Sequence, residues 1–474
     1  MIAYVPPEGS IPTLEVPNLD GVRVAHLVGV GGAGMSGIAK LLLARGVAVT
    51  GSDLKDSPAL ALLRASGAAV SVGHRQENLG DPDAVIVSTA VPPSNPEVRA
   101  ARSRGIPVLA RAQILAALMR ERRGIGIAGT HGKTTTTSMV AHVLESAGRD
   151  PTYVVGGDLN ESGSNARSGG GDLFVAEADE SDGSFLLLEP EIAVVTNVEA
   201  EHLDFYSDLA SLDHAFAEFC RRAGRVLVCR DDPGAMRAVA GREGATTYGV
   251  SADADVRIGE IGEFGGRVTG TITVGEHVVP VELGLPGRHY LLNAAAALAV
   301  GAAVGVDPAE GARALSRFRG VRRRFERRGF AGGAEFVDDY AHHPTEIAAT
   351  LRGARTTSPG RLVAVFQPHR YSRTAALWRP LGESLAEADL VVVTNVYGAG
   401  EMPVPGVSGK LLVDALLESV PTKRIVYLPS RGEIAPFLQR EVRDGDLVIT
   451  LGAGDVTMVG EEALVRIREG SRDG

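Results

Sequence analysis

Apolar residues along this chain come in short runs that end at glycine and give way to segments of helical period. Residues 23–30 lead into Gly31-Gly32-Ala33-Gly34 and then an amphipathic stretch at 35–44. Residues 124–128 lead into Gly129-Thr130-His131-Gly132 and a helical pattern at 133–147. A third, less regular unit runs from residues 362–366 into Gln367-Pro368-His369-Arg370. Further β-like runs lie at 84–89, 192–197, 390–395 and 447–451. Short buried runs alternating with helical periods predict an α/β fold, in which parallel sheets are covered by helices. Residues 256–281, rich in Gly, Val and Thr, predict a small β excursion. Charged, glycine-flanked segments at 120–124 and 322–329 read as exposed linkers. They divide the chain into predicted domains at 1–121, 122–325 and 326–474.

Composition narrows the function. A chain of 474 residues exceeds the roughly 50–250 of a single domain. The formal net charge of -10 argues against nucleic acid or an anionic membrane as a general partner, because their phosphates would be repelled. A local phosphate site needs only oriented amides and a cation, so it is not excluded. Cys220 and Cys229 supply neither a disulfide framework nor a cysteine-type metal site, which fits a reducing cytoplasm. The proline-rich first twenty residues lack the basic and apolar regions of a signal peptide. The Ala-rich run at 294–306 is shorter than the ~20 residues of a membrane helix.

The segment from Gly129 to Thr135, Gly-Thr-His-Gly-Lys-Thr-Thr, follows a strand pattern and opens a helix. Amides at such a turn point inward and the helix amino terminus adds partial positive charge, a setting that holds polyphosphate. Lys133 is placed to reach the β- and γ-phosphates, and the Thr134 hydroxyl to ligate Mg²⁺. The loop therefore predicts ATP and Mg²⁺. It is a short variant, since the usual spacing wants glycine where Ile127 stands. Glu177-Ala178-Asp179-Glu180-Ser181-Asp182 follows the apolar run at 173–176, where a phosphate-loop enzyme keeps its metal carboxylate. Such crowded acids repel one another unless cations or donors lie among them. Glu201-His202-Leu203-Asp204, after the run at 192–197, offers His202 as a second ligand.

Gly29-Val30-Gly31-Gly32-Ala33-Gly34, with Asp53 about 20 residues on, meets the dinucleotide-binding pattern. Any diphosphate suits that helix terminus equally well. No hydride-transfer site presents itself, and a second nucleotide domain beside an ATPase domain suggests a nucleotide-linked substrate. An NAD-binding oxidoreductase or a nucleotide-sensing regulator is the competing class.

Taken together, Gly29 to Gly37 (Gly-Val-Gly-Gly-Ala-Gly-Met-Ser-Gly), Gly129 to Thr137 and Glu177 to Asp182 resemble the Mur ligases. Asp338-Asp-Tyr-Ala-His-His-Pro-Thr-Glu346 and Phe366-Gln-Pro-His-Arg-Tyr-Ser-Arg-Thr374 narrow the resemblance to the branch acting on UDP-N-acetylmuramate and L-alanine. The neighbouring branch, which recycles a whole tripeptide, fits Ser181-Asp182-Gly183-Ser184-Phe185 less well. The resemblance implies a Rossmann-like domain for the UDP-sugar, a central P-loop ATPase domain and a Rossmann-like carboxyl-terminal domain. It implies that ATP converts the substrate carboxylate to an acyl phosphate, which the alanine amine then attacks.

Carried over by position, Gly129, Thr130, His131, Gly132, Lys133, Thr134 and Thr135 cradle ATP. Asn293 contacts adenine, Arg324 reaches the phosphates and Asp339 contacts the nucleotide. Thr134 and Glu177 hold one magnesium and His202 a second. Gly31, Gly32, Ala33, Gly34 and Met35 hold the UDP diphosphate, with Asp53, Ser88 and Thr89 as further contacts. His343, Arg370 and Arg373 handle the amino acid, an arginine fork being suited to its carboxylate. Arg322, Arg327 and Arg328 read as solvated linker residues. Two positions depart from the family pattern: Tyr290 stands where asparagine is usual, and Glu201 where aspartate is common. No candidate presents itself for the lysine that some sister ligases carbamylate. Nucleic acid and membrane are not implied as partners, and the sequence sets no oligomeric state.

Overall fold

A computed structural model describes residues 15–160, 163–202 and 205–470. Most of the amino-terminal twenty residues, together with Leu203 and Asp204, therefore lie outside the described residues. Among the described residues, twenty-one strands form three sheets, as the run-and-glycine pattern predicts.

The first sheet contains β1 (Val24–Val28), β2 (Ala48–Asp53), β3 (Ala69–Val72), β4 (Ala84–Val87) and β5 (Val108–Ala110), in the order β3-β2-β1-β4-β5. All its pairs are parallel, with the order reversing at β1. Ligands of open α/β sheets bind at the carboxyl ends of the strands beside such a switch point. The glycine loop leaves β1 there.

The second sheet is built from β6 (Arg123–Ala128), β7 (Thr152–Val154), β8 (Ala166–Arg167), β9 (Leu173–Glu177), β10 (Ile192–Val195), β11 (Arg225–Cys229) and β12 (Thr246–Gly249). Strands β13 (Val256–Phe264), β14 (Arg267–Val274) and β15 (His277–Leu283) extend it and are the predicted β excursion. Strand β6 lies between β9 and β10, parallel to both. The phosphate loop after β6 is thus flanked by the ends of two further strands, and both of those ends carry acids.

The third sheet has β16 (Glu326–Ala331), β17 (Ala334–Asp339), β18 (Arg361–Phe366), β19 (Leu390–Val393), β20 (Arg424–Tyr427) and β21 (Asp446–Leu451), in the order β16-β17-β21-β18-β19-β20. Side chains alternate between its faces: Leu362, Ala364 and Phe366 enter one core, Val363 and Val365 the other. Both faces are covered, which is why β18 reads as a continuous apolar run.

By packing, the chain falls into two compact units. One holds the chain through Gly259 with Thr271–Val281 and Leu292–Phe318; the other holds Glu260–Gly270, Glu282–Leu291 and Arg319–Gly474.

The predicted linkers need correction. A helix ends at Arg120 and β6 opens at Arg123, whose Nε lies 2.7 Å from Glu191 Oε2. Residues 322–329 run into β16, which pairs antiparallel with β17. Arg328 is not solvated: its Nη2 lies 3.3 Å from Asp338 Oδ2 and 3.2 Å from Glu326 Oε2. Asp338 is fully buried, and a buried carboxylate draws cations to itself. The Arg322 and Arg327 side chains remain half exposed, as expected.

Candidate active site

The phosphate loop is held by backbone conformation and by β10. Gly129 has φ 134°, and a Cβ there would fall 2.1 Å from Thr196 Oγ1. Gly132, at φ 80°, caps the helix Lys133–Ser146 without a side-chain bond, which leaves the first-turn amides for a ligand. Asn197, just past β10, clamps the loop. Its Oδ1 accepts from His131 N at 2.8 Å, its Nδ2 donates to His131 O at 3.0 Å, and its carbonyl accepts from Thr130 N at 3.0 Å. Thr196 Oγ1 also donates to His131 O, at 2.6 Å. Thr130 Oγ1 accepts from Glu199 N at 2.9 Å.

Lys133 is folded into this loop. Its Nζ donates to Gly129 O at 2.6 Å and to Glu180 Oε1 at 2.9 Å. Burial works against the ammonium, but Glu180, Asp179 and Glu177 outweigh it and hold the Lys133 pKa above its ordinary value. Glu180 is itself pushed up by burial, against the pull of Lys133. Asp179 resists burial through Lys133 and Arg111 and is held below the usual carboxylate range. The predicted cations and donors among these acids are therefore present.

Thr134 Oγ1 lies 3.0 Å from Glu177 Oε2, an oxygen that also accepts from Gly156 N at 2.8 Å. A hydroxyl beside an anchored carboxylate at a strand end is a donor set for a hard divalent cation. His202 has φ 56°, a left-handed backbone costing about 1–3 kcal/mol off glycine, and its Nε2 lies 3.7 Å from Glu180 Oε1. Asn293 is buried against the loop, its Oδ1 accepting from Thr136 Oγ1 at 3.2 Å. Thr135 is buried.

In the same unit the glycine loop after β1 opens the helix Ala33–Ala44. Gly32 makes no side-chain cap, and Gly32 and Ala33 are exposed. Asp53 Oδ2 accepts from Gly31 N at 2.9 Å, so this acid is turned onto the loop. Ser88 stands beside Gly29, within 3.7 Å of a Cβ built there, whereas Thr89 is exposed. The Met35 side chain is buried in the core, so only its backbone amide is offered to a ligand.

The second unit carries the remaining predicted residues. Arg324 Nη1 lies 3.8 Å from Glu346 Oε1 and its guanidinium lies over the Tyr340 ring, 5.1 Å from the centroid. Asp339 Oδ2 accepts from Phe325 N and Oδ1 from Ala341 N, each at 2.8 Å. Burial pushes its carboxyl up to about 6 against those bonds and Arg324. His343 precedes the helix Pro344–Arg355, and its backbone N donates to Glu346 Oε2 at 3.3 Å. Glu346 thus joins Arg324 and His343. Arg370, at φ 68°, donates from Nε to Glu401 Oε1 at 2.7 Å, while Arg373 Nη1 lies 3.3 Å from His369 Nδ1.

Three family models match in order: Mur ligase family, catalytic domain, at residues 24–123; Mur ligase middle domain at 127–301; and Mur ligase, glutamate ligase domain, at 323–454. A UDP-N-acetylmuramate–L-alanine ligase of Rubrobacter xylanophilus is 49% identical over 456 residues, covering 93% of this chain and 99% of the relative. The chain belongs to the Mur ligase family. Among solved structures, the UDP-N-acetylmuramate-alanine ligase of Thermotoga maritima superposes with TM-score 0.81 at 31% identity, covering 94% of this chain and 99% of that one. A murein peptide ligase of Psychrobacter arcticus gives TM-score 0.71 at 25% identity, with coverage of 94% and 99%.

In this Mur ligase the sequence pattern located the loop but missed its clamp. Thr196 and Asn197 follow an apolar run as any strand-end residues would, and nothing local marks them. Glu180 stood unresolved among its neighbouring acids until Lys133 was placed against it. Glu401 is 31 positions from Arg370, and no spacing rule links them. Tyr290, the departure from the family pattern, is buried with its ring 4.2 Å from that of His289.

Proposed function

We propose that this chain is an ATP-dependent ligase joining L-alanine to the carboxylate of UDP-N-acetylmuramate, a step in peptidoglycan synthesis. The observation that carries the reading is the arrangement of Lys133, Thr134 and Glu177 on a clamped phosphate loop, in the same unit as a second, diphosphate-type glycine loop. Likeness to alanine-adding relatives over almost the whole chain supports the choice of amino acid.

A carboxylate is a poor electrophile until its oxygen becomes a leaving group. Phosphoryl transfer from ATP makes it an acyl phosphate; the alanine amine then forms the amide and phosphate departs. The protein's part is positioning and charge neutralisation. Loop amides at 129–135 and the Lys133 ammonium meet the phosphates, Lys133 exchanging its Glu180 partner for phosphate oxygen. Asn293 lies against the loop for the adenine side. Thr134 and Glu177 would hold one Mg²⁺, their oxygen donors fitting that hard cation, and His202 is assigned to a second by the family resemblance. Bound there, Mg²⁺ supplies neutralisation of phosphoryl charge.

Gly31 to Met35, with Asp53, Ser88 and Thr89, take the UDP moiety. Arg324 and Asp339 are assigned to the nucleotide, and His343, Arg370 and Arg373 to the amino acid. The three domains are taken as 1–121, 122–325 and 326–474. No helix among the described residues is long and apolar enough to cross a membrane, and the reading places the enzyme in the cytoplasm, where ATP is available.

The test is phosphate release from ATP and Mg²⁺, with amide formation followed by mass. Release that needs both UDP-N-acetylmuramate and L-alanine is the expected result. Release only with the tripeptide moves the chain to the recycling branch, and none with either from folded protein overturns the reading.

A further inference from the structure

The glycine loop after β1 has amides but a carboxylate for company. Asp53 Oδ2 already accepts from Gly31 N at 2.9 Å. A diphosphate brought to the same loop would meet that negative charge, and a partial helix charge of about +0.5 does not balance it. A cation is needed, and the structure supplies one from outside the loop. Arg111 opens the helix Arg111–Arg120 and lies across Gly34. A Cβ built on Gly34 would fall 3.1 Å from both Arg111 Cδ and Arg111 Nη1. The missing side chain at position 34 is what lets the guanidinium rest on the loop. Its carboxylate partner is held loosely, beyond hydrogen-bond distance: Arg111 Nη2 lies 3.8 Å from Asp179 Oδ2. The Arg111 side chain retains 22% exposure, so it is open to a ligand.

We propose that Arg111 binds the diphosphate of the nucleotide-sugar, supplying the cation that the glycine loop lacks. This rests on the reading of UDP-N-acetylmuramate as substrate. Asp179 keeps the guanidinium over Gly34, and a diphosphate, which accepts two parallel N–H bonds, is the stronger partner. Arg111 thereby ties the sugar-nucleotide loop to the acidic end of β9, beside Glu177.

Steady-state kinetics and calorimetry of the full chain test this. Arg111→Ala is expected to raise KM for UDP-N-acetylmuramate about tenfold or more, with KM for ATP and kcat within about twofold. Arg111→Lys should recover part of the loss. The wild type should bind UDP more tightly than uridine, and Arg111→Ala should narrow that preference about tenfold. Arg111→Gln, which keeps an aliphatic stem over Gly34 without the charge, carries the same test should the alanine variant fail to fold. An unchanged KM for UDP-N-acetylmuramate, or an equal rise in KM for ATP, overturns the assignment of Arg111 while leaving the substrate intact. A folded wild type that binds neither UDP nor UDP-N-acetylmuramate overturns both.

Discussion

Lys133 shows how much one side chain is asked to do. It sits in a buried pocket of carboxylates and a loop carbonyl, and its charge is favoured there because Glu180, Asp179 and Glu177 surround it. Lys133→Ala is expected to lower phosphate release about a hundred- to a thousandfold, on the order seen when a main electrostatic donor is lost. Circular dichroism should remain native, although removal of one partner from a buried pair costs about 3–5 kcal/mol. Normal turnover by the folded variant would remove the phosphate-loop assignment. Gly129 is the backbone counterpart. Gly129→Ala places a methyl 2.1 Å from Thr196 Oγ1 at φ 134°, and such strain costs on the order of 1–3 kcal/mol before any clash. The expected outcome is a lower melting temperature together with loss of ATP binding by calorimetry. Retention of both would mean that the loop rearranges freely. Lys133 and Gly129 were legible in the sequence because glycine and lysine at this spacing have few other uses after a strand. Asn197 and Glu180 were not, because their partners are 66 and 47 positions away.

Elements read well where both faces are covered and poorly where charge meets charge across a hairpin. Strand β18 announces itself as an apolar run. Strand β16 begins Glu-Arg-Arg and reads as a linker, yet Arg327 meets Glu335 at 3.0 Å and Arg328 meets Asp338 from the paired strand. A second example is Glu97, fully buried at the start of the helix Pro96–Ser103. Burial works against its charge, but His26, Ser52, Asn78 and the Arg75 amide overcome it and hold the carboxyl at about 2, below an ordinary 4.5. The sign follows from the folded state binding fewer protons: this stabilisation is full above pH 4.5 and is lost as pH falls towards 2. Glu97→Gln should destabilise by about 1–3 kcal/mol near neutral pH, by leaving a buried donor without its acceptor. The gap between variant and wild type should narrow in melts run at successively lower pH. A gap that is constant with pH would show that the Glu97 charge contributes nothing to stability.

At the scale of the whole molecule, the loop residues of the first unit partner side chains of the same unit: Thr134 meets Glu177, and Lys133 meets Glu180. EDTA is therefore expected to abolish phosphate release, and added Mg²⁺ to restore it, while the melting temperature of the ligand-free chain stays within about 1 °C. A structural metal would instead couple its loss to unfolding, and a large shift would show that. The sequence alone determined the α/β class, the loops at 29–34 and 129–135 and the family, because strand periodicity and glycine-gated phosphate turns are local properties of the chain. Tertiary structure decided which acids answer Lys133, that residues 326–331 form a strand, that Asp53 turns onto its own loop, and that Arg111 lies over Gly34. Each of these depends on burial and on partners far apart in the chain. Whether a charge is solvated or paired is settled only when the sheets bring those partners together.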